Sequence, residues 1–206
     1  MPAHVTPRAE HVFKLLVTGP FAAGKTSLIQ SVSQTPVVET DVDASGGEAA
    51  VKARTTVAMD FGTYALRDDV NSDVRLLLFG TPGQRRFWFM TDIMKGDVDA
   101  VVYVVDATAD HTHLEAGAAM RALLADLRVP LVVAVNRCDD SGHATVTARQ
   151  LGALASEAAL PCQLIDENSA REVAIEALLA VLDRLERSDT DVLDPLERVV
   201  ALAGAA

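Results

Sequence analysis

The sequence predicts an α/β fold in which a six-stranded, mostly parallel sheet carries helices on both faces. Three observations lead to this prediction. Compact apolar runs alternate with Ala- and Leu-rich stretches of helical spacing, two early strands are joined by a short polar turn, and a glycine-rich loop directly follows the first strand. At 206 residues, the chain is long enough for one such domain with a full core.

Each predicted strand is an apolar run bounded by turn residues. The two Val-rich runs in the middle of the chain are typical of central strands that helices cover on both faces. The predicted strands are 12–19, 56–66, 74–80, 99–107, 129–136 and 161–166. A helix is expected to start near Gly24, and the last helix is predicted over 170–186. The apolar stripe of that last helix consists of Ala174, Ile175, Leu178, Leu182 and Leu185.

Composition limits the classes of function. The net charge of −11 argues against a surface for nucleic acid or anionic membranes, since both need clustered Lys and Arg. Two cysteines give no disulfide framework, and Pro2 excludes N-myristoylation. We therefore expect a soluble cytoplasmic protein with no lipid anchor of its own. Its domain is expected over 12–187, after an N-terminal extension (1–11) and before a tail with a short helix (188–206).

GPFAAGKT (19–26) matches the phosphate-binding pattern G-x-x-x-x-G-K-[ST] between a predicted strand and a predicted helix. In that context the backbone N–H groups of the loop surround a β-phosphate, aided by the helix N-terminus. Lys25 would bridge the β- and γ-phosphates, and the Thr26 hydroxyl would ligate Mg²⁺. A chance glycine-rich turn is the alternative. The loop residues expected to bind nucleotide are Gly19, Phe21, Ala22, Ala23, Gly24, Lys25, Thr26 and Ser27.

Polar residues also follow the last two predicted strands. In NRCD (136–139), the Asp carboxylate would accept hydrogen bonds from the ring N1–H and the exocyclic amine of guanine, a donor pair that adenine lacks. Alone, N-x-x-D after a strand is often just a turn. In NSAR (168–171), the Ala170 N–H would meet the guanine O6 while Ser169 holds the loop. The predicted guanine pocket contains Asn136, Arg137, Asp139, Ser169, Ala170 and Arg171.

The segments GPFAAGKT, TTVAMDFG, GTPGQRRF, NRCD and NSAR fall in the order of the Ras-like small GTPases, which the chain resembles from about residue 12 to 186. TVAMDF is similar to switch I of Rab-type GTPases, and GQRRF to their switch II. TTVAMDFG together with FGTPGQRRFWFM resembles the GTPases of bacterial conservon operons, and more distantly the Mgl-type GTPases of gliding motility. The resemblance implies a P-loop NTPase with a Ras-like G domain, a GTP/GDP switch that needs Mg²⁺, and a Roadblock-type dimeric partner at the switch regions.

The resemblance also implies roles for residues of the switches. Thr56 would ligate Mg²⁺ and sense the γ-phosphate, the Gly83 N–H would contact that phosphate, and Gln84 would orient the attacking water. Gln84, Lys25, Thr56 and Arg54 are the predicted catalytic residues. Arg54 is the best candidate for an arginine that stabilises the transition state in cis, although a solvated loop arginine is the alternative.

Gly80 departs from the Ras-like D-x-x-G-Q loop, where an Asp helps to hold Mg²⁺; both bacterial groups lack that Asp as well. Mg²⁺ keeps several waters and needs few protein ligands, so the change need not abolish metal binding. Asp60 is the predicted substitute, and the predicted metal ligands are therefore Thr26, Thr56 and Asp60. The alternative is that Asp60 only stabilises the end of its strand.

Several features leave the function open. Phe21 either crowds Gln84 or packs on the switch region, and we expect slow unaided hydrolysis in both cases. Segment 36–53 is expected to be exposed, as a refolding switch or as a plain insertion, and residues 87–90 form either a partner surface or core. A pseudo-GTPase that serves as an interaction module, and a general P-loop ATPase, are the alternatives to a GTPase. Asp139 argues against the ATPase.

Overall fold

The computed structural model describes residues 9–36, 41–43, 54–56, 59–67, 72–82 and 95–192. The strands are β1 (Ala9–Thr18), β2 (Asp41–Asp43), β3 (Arg54–Thr56), β4 (Asp60–Arg67), β5 (Ser72–Gly80), β6 (Ala100–Asp106), β7 (Leu131–Asn136) and β8 (Ala158–Cys162). The helices are α1 (Lys25–Val32), α2 (Asp110–Asp126), α3 (Ser141–Leu151) and α4 (Glu167–Val192), with one 3₁₀ turn at Lys95–Asp97.

Six of these strands form one sheet in the order β4-β5-β1-β6-β7-β8. All neighbours in it are parallel except β4 and β5, which pair antiparallel. The predicted α/β fold with a six-stranded, mostly parallel sheet is confirmed. Because β1 and β5 to β8 run the same way, the loops that follow them lie at one edge of the sheet, where α/β proteins bind ligands.

The core has two parts, one on each face of the sheet. One part packs residues of α1 and α4 against the sheet, and the other packs residues of α2 and α3. Helices therefore cover both faces, as predicted, and every residue of β7 is buried. Since each side chain of a central strand lies against a helix layer, the strand sequences are continuous apolar runs without alternation.

The last strand and the last helix differ from the prediction. β8 ends at Cys162, so residues 163–166 form a turn in which the Asp166 N–H donates to the Gln163 carbonyl over 2.8 Å. The core-facing side of α4 is formed by Val173, Ala174, Ala177, Leu178 and Val181. Leu182 and Leu185 of the predicted stripe are exposed, by 37% and 47%. Of the predicted stripe, Ala174 and Leu178 are therefore core residues, whereas Ile175 is half-buried.

The bounds of the described elements reach past the predicted domain at both ends. β1 begins at Ala9, inside the predicted extension, and α4 runs to Val192, inside the predicted tail. Residues 193–206, with the predicted short helix, lie outside the described part. Segment 36–53 includes β2, which pairs antiparallel with β3. None of the described helices combines the length and the apolar character that a bilayer crossing needs.

The thiol of Cys162 yields a prediction about reactivity and alkaline stability. Burial, and to a lesser extent the neighbouring Cys138 thiol, raises the pKa of Cys162 from 9.0 to about 12. Because the thiolate is the reactive form, we expect Cys162 not to react with Ellman's reagent in the native protein at about pH 8. The folded state keeps a proton that the unfolded state loses between these two pKa values. Stability should therefore fall as the pH rises from about 9 towards 12.

Counting reactive thiols before and after adding guanidinium chloride checks the first part, and urea unfolding across this pH range checks the second. Rapid labelling of both cysteines in the native protein would contradict the buried, protonated thiol.

Candidate functional site

The loop between β1 and α1 carries the predicted phosphate-binding sequence, residues 19–26. Gly19 has φ 139°, and a Cβ there would lie 2.1 Å from the carbonyl oxygen of Val104 in β6. Gly24 has φ 113°, and a Cβ there would lie 2.3 Å from Asn136 Nδ2. Both positions thus require glycine, because of close neighbours as well as backbone conformation. The compact loop leads directly into the first turn of α1.

Lys25 begins α1 and its side chain turns back onto the loop. Its ammonium group donates to the carbonyls of Gly19 at 2.9 Å and Pro20 at 2.5 Å, and the residue is only 7% exposed. A buried ammonium needs such partners, because an unpaired charge is costly away from water. Phe21, Ala22 and Ser27 are half-buried around it, and Ala22 adopts a left-handed φ of 61°.

The Thr26 hydroxyl and the Asp60 carboxylate meet beside this loop. Thr26 Oγ1 donates to Asp60 Oδ2 over 2.7 Å, and Asp60 is 2% exposed. A hydroxyl and a carboxylate at the N-terminus of a helix are the oxygen donors that Mg²⁺ prefers. The donor set therefore suits the predicted metal, and two of its three predicted ligands lie together.

Gly80 lies directly across the sheet from Asp60. The two residues pair in the β4–β5 ladder, at the end of β5. A Cβ on residue 80 would lie 2.5 Å from Ile29 Cδ1 and 3.1 Å from the Asp60 Cβ. Contacts this short mean that Ile29 and Asp60 occupy the space of a side chain at position 80. The carboxylate is thus on the strand next to the one where the Ras-like pattern has it.

Two threonines fix the end of β5, where the predicted second switch begins. Thr81 N–H donates to the Val17 carbonyl over 2.9 Å, and its buried hydroxyl donates to Thr18 Oγ1 over 2.8 Å. These bonds tie the end of β5 to the end of β1. Gly83 and Gln84 follow, and they lie outside the described residues.

Asn136 connects the phosphate loop to the loop after β8. Its Nδ2 donates to the Ala23 carbonyl over 2.9 Å, and its Oδ1 accepts from the Leu164 N–H over 3.0 Å. Asn136 is 6% exposed, and both partner atoms are backbone groups. An amide side chain supplies the donor and the acceptor that these two partners need. Asn136 therefore lies behind the predicted base pocket, where it joins the phosphate-binding loop to the loop after β8.

Asp139 is exposed at the same edge and its carboxylate is held by a neutral side chain. Its Oδ1 accepts from Gln163 Nε2 over 2.9 Å. Arg137 has a left-handed φ of 57°, and its guanidinium pairs with Asp106 at the end of β6. Asp106 also accepts from the Thr108 N–H and hydroxyl, at 2.9 and 2.8 Å. The nearest arginine to Asp139 in sequence is therefore engaged with the neighbouring strand.

The structure changes the expected roles of NSAR. Residues 168–171 lie in the first turns of α4, since β8 ends earlier than predicted. The Ala170 N–H was predicted to donate to the guanine O6. In the structure it donates to the Asp166 carbonyl over 3.0 Å, so it is already used inside the protein. Arg171 pairs with Glu167, and its guanidinium lies 5.9 Å from the centre of the core ring of Tyr64. Ser169 does hold a loop, because its Oγ accepts from the Gln163 N–H over 2.9 Å.

For the switch I residues, only the backbone is described. Thr56 and Arg54 belong to β3 and pair with Asp41 and Asp43 of β2. Their predicted roles as metal ligand and catalytic arginine stay predictions.

The sequence reasoning missed three residues of this edge: Asp106, Gln163 and Leu164. Asp106 ends a predicted strand and stands next to Asn136 in the β6–β7 ladder, so the rule that functional side chains follow strand ends would have found it. Gln163 and Leu164 were hidden, because the predicted sixth strand ran through them.

A family model described as a conserved hypothetical ATP binding protein matches residues 37–187, so the chain belongs to this family. The match covers most of the chain and begins after the phosphate-binding loop. It includes the two segments predicted as switches and both loops predicted to bind the base.

The chain also resembles Ras-related proteins. Human Ras-related protein Rab-7L1 is 28% identical over 188 residues, which cover 88% of this chain and 86% of that protein. Rat Rab-7L1 is 35% identical over 99 residues, covering 48% and 43%. Ras-related protein Rab-32A of Dictyostelium discoideum is 28% identical over 138 residues, covering 63% and 57%. These relatives and the family match support a small GTP-binding P-loop protein of the Ras-like class. The conservon or Mgl type stays a prediction.

Asn136→Ala tests the connection between the phosphate-binding loop and the loop after β8. The change leaves the Ala23 carbonyl and the Leu164 N–H, both buried behind the site, without their partner. We expect a loss of about 2–4 kcal/mol in the free energy of unfolding. Urea unfolding measures it, with Asn168→Ala, at an exposed position of α4, as the matched control. Equal stability of the two variants would contradict the connecting role.

Proposed function

We propose that this protein is a small GTP-binding switch that hydrolyses GTP slowly to GDP and phosphate. The observation that carries the proposal is the Asn136 connection, which joins the phosphate-binding loop to the loop after β8, where Gln163 contacts the exposed Asp139 carboxylate. A guanine nucleotide has groups for both: phosphates for the loop, and the N1–H and amine for Asp139. The Ras-related relatives support the same reading.

On the phosphate side, the proposed ligands are the P-loop amides and Lys25, with Thr26 and Asp60 for Mg²⁺. Lys25 is already turned onto the loop, and Thr26 and Asp60 share a hydrogen bond. Bound Mg²⁺ would supply positive charge against the phosphate oxygens. The proposal for Asp60 follows from its place across from Gly80, where the sheet leaves no room for a side chain.

On the base side, we propose that Asp139 recognises the guanine N1–H and 2-amino group. Residues 163–166 form the facing loop, in place of NSAR, because Leu164 and Gln163 contact Asn136 and Asp139. The Ile165 N–H, in the middle of this turn, is then the candidate donor to the guanine O6. Adenine has no donor pair for Asp139, which is the reason to propose GTP although the family description names ATP.

The switch itself is proposed from the resemblance. Thr56 and Gly83 would sense the γ-phosphate, Gln84 would orient water, and Arg54 would assist. We further propose that the protein acts in the cytoplasm as a conservon- or Mgl-type GTPase, with a Roadblock-type dimer bound at its switch regions.

Asp139→Asn tests guanine recognition. The variant loses two charge-assisted hydrogen bonds and presents an amide donor to the N1–H, so GDP affinity should fall about a hundredfold or more. ADP binding, which does not use this carboxylate, should not change. Titration of fluorescent GDP and ADP measures both affinities.

Asp183→Asn is the matched control, since Asp183 forms an exposed pair with Arg187 on α4 and the loss of that pair should have little effect. If the unaltered protein binds ADP as tightly as GDP, the roles of Asn136 and Asp139 are wrong and an ATP-binding function is favoured.

Asp60→Ala tests the Mg²⁺ site. In the proposed site, GDP dissociates more slowly in Mg²⁺ than in EDTA, and the variant should reduce this difference by about tenfold or more. Dissociation of fluorescent GDP in the two buffers measures it. The double variant Asp60→Gly with Gly80→Asp should restore little of the effect. Its glycine removes the contact at 3.1 Å, but a Cβ on residue 80 would still lie 2.5 Å from Ile29 Cδ1.

A thermal melt of each variant verifies that it is folded. If Mg²⁺ still slows GDP dissociation as much in the folded Asp60→Ala variant, Asp60 does not bind the metal. Its role would then be to stabilise the end of its strand.

A further inference from the structure

Gln163 has three hydrogen bonds that together fix its position beside Asp139. Its N–H donates to Ser169 Oγ over 2.9 Å, and its carbonyl accepts from the Asp166 N–H over 2.8 Å. Its side-chain Nε2 donates to Asp139 Oδ1 over 2.9 Å. The backbone of Gln163 is thus anchored on both sides by the start of α4, and its amide group reaches across to the end of β7.

The bond restrains an otherwise exposed carboxylate. Asp139 follows β7 on the surface, where its side chain would be free to rotate without a partner. An ionised carboxylate has about four acceptor positions, and Gln163 uses one of them. The remaining positions, on both oxygens, are enough for the two donors of guanine. A single donor from Gln163 therefore sets the plane of the carboxylate and still leaves it able to bind a base.

The neutral character of Gln163 matters for the same reason. A Lys or Arg in its place would form an ion pair with Asp139 and compete with the base for its charge. The nearby cation, Arg137, is paired with Asp106 on the other side. Asp139 is therefore oriented by an uncharged partner, and its charge is kept for a ligand.

We propose that Gln163 is a positioning residue that sets guanine selectivity by orienting Asp139. The inference rests on the proposed guanine binding of Asp139, and it adds a residue from the loop that the sequence placed inside a strand. Ser169 contributes to the same positioning, since its hydroxyl oxygen accepts from the Gln163 N–H and so holds the Gln163 backbone in place.

The 2-amino group of the base provides the specific readout. Guanine offers Asp139 both the N1–H and the 2-amino group, whereas hypoxanthine offers only the N1–H. We propose that Gln163 holds the Asp139 carboxylate in the plane where both of its oxygens can accept from the base. Loss of the Gln163 side chain should then weaken guanine binding, which uses two hydrogen bonds, more than hypoxanthine binding, which uses one. A purely structural role would weaken both alike.

The experiment compares the dissociation constants of GDP and of inosine diphosphate (IDP), whose base is hypoxanthine. It measures them for the unaltered protein, Gln163→Ala and Gln150→Ala. Gln150 is an exposed glutamine on α3 and provides the matched control. For Gln163→Ala we expect GDP affinity to fall about tenfold and IDP affinity at most about threefold, which reduces the GDP/IDP preference severalfold. Gln150→Ala should leave both unchanged, and Ser169→Ala should shift the preference in the same direction as Gln163→Ala.

Three results would overturn the inference. An unchanged GDP/IDP preference in Gln163→Ala, while the unaltered protein prefers GDP to ADP, removes the role of Gln163 and leaves the guanine assignment intact. Equal losses for GDP and IDP, with a lower melting temperature, would make Gln163 a structural residue. If the unaltered protein does not prefer GDP to ADP, the guanine assignment fails and this inference fails with it.

Discussion

The buried amide of Asn136 donates to the Ala23 carbonyl and accepts from the Leu164 N–H, and the candidate site depends on these two bonds. They join two loops that belong to distant parts of the chain, one after β1 and one after β8. The strands that carry these loops are not neighbours in the sheet, because β6 and β7 lie between them. Hydrogen bonds between neighbouring strands do not join these two loops directly. The Asn136 amide does, and the Ser31 hydroxyl of α1 also donates to the Leu164 carbonyl over 2.8 Å. Gly24 is part of the same constraint, since a side chain there would displace Asn136.

The pairing of Asp60 with Gly80 puts the carboxylate of the proposed metal site directly across from the position where the Ras-like pattern has its Asp. The two positions face each other in an antiparallel ladder, and the Asp60 carboxylate accepts from the Thr26 hydroxyl. Ile29 packs into the space above residue 80, and only a glycine fits beneath it. The glycine is then a consequence of core packing against α1, and the acidic group lies on the facing strand, at Asp60.

The loop after β8 was the part of the site that the sequence misplaced. PCQLID has the composition of a strand, but Leu164 donates to the side chain of Asn136, and Asp166 donates back to Gln163 in a turn. The ladder ends at Cys162, and the helix then starts at Glu167, directly before NSAR. A sixth strand was rightly predicted, while its end depended on a side chain 28 positions earlier in the chain. Element ends are decided by such individual bonds more than by composition.

The sequence by itself determined the layers of the fold and the phosphate loop. Continuous Val-rich runs indicate strands that are buried on both faces. The pattern G-x-x-x-x-G-K-T indicates a phosphate-binding loop whose backbone conformation depends on its own glycines. Both are local signals in the sequence. The placement of Asp60 opposite Gly80, the partners of Asn136 and the contact of Gln163 with Asp139 were decided only by the tertiary structure. These contacts join residues that are 20 to 113 positions apart in the chain. Their geometry depends on strand order, register and the packing of helices, none of which a local pattern contains.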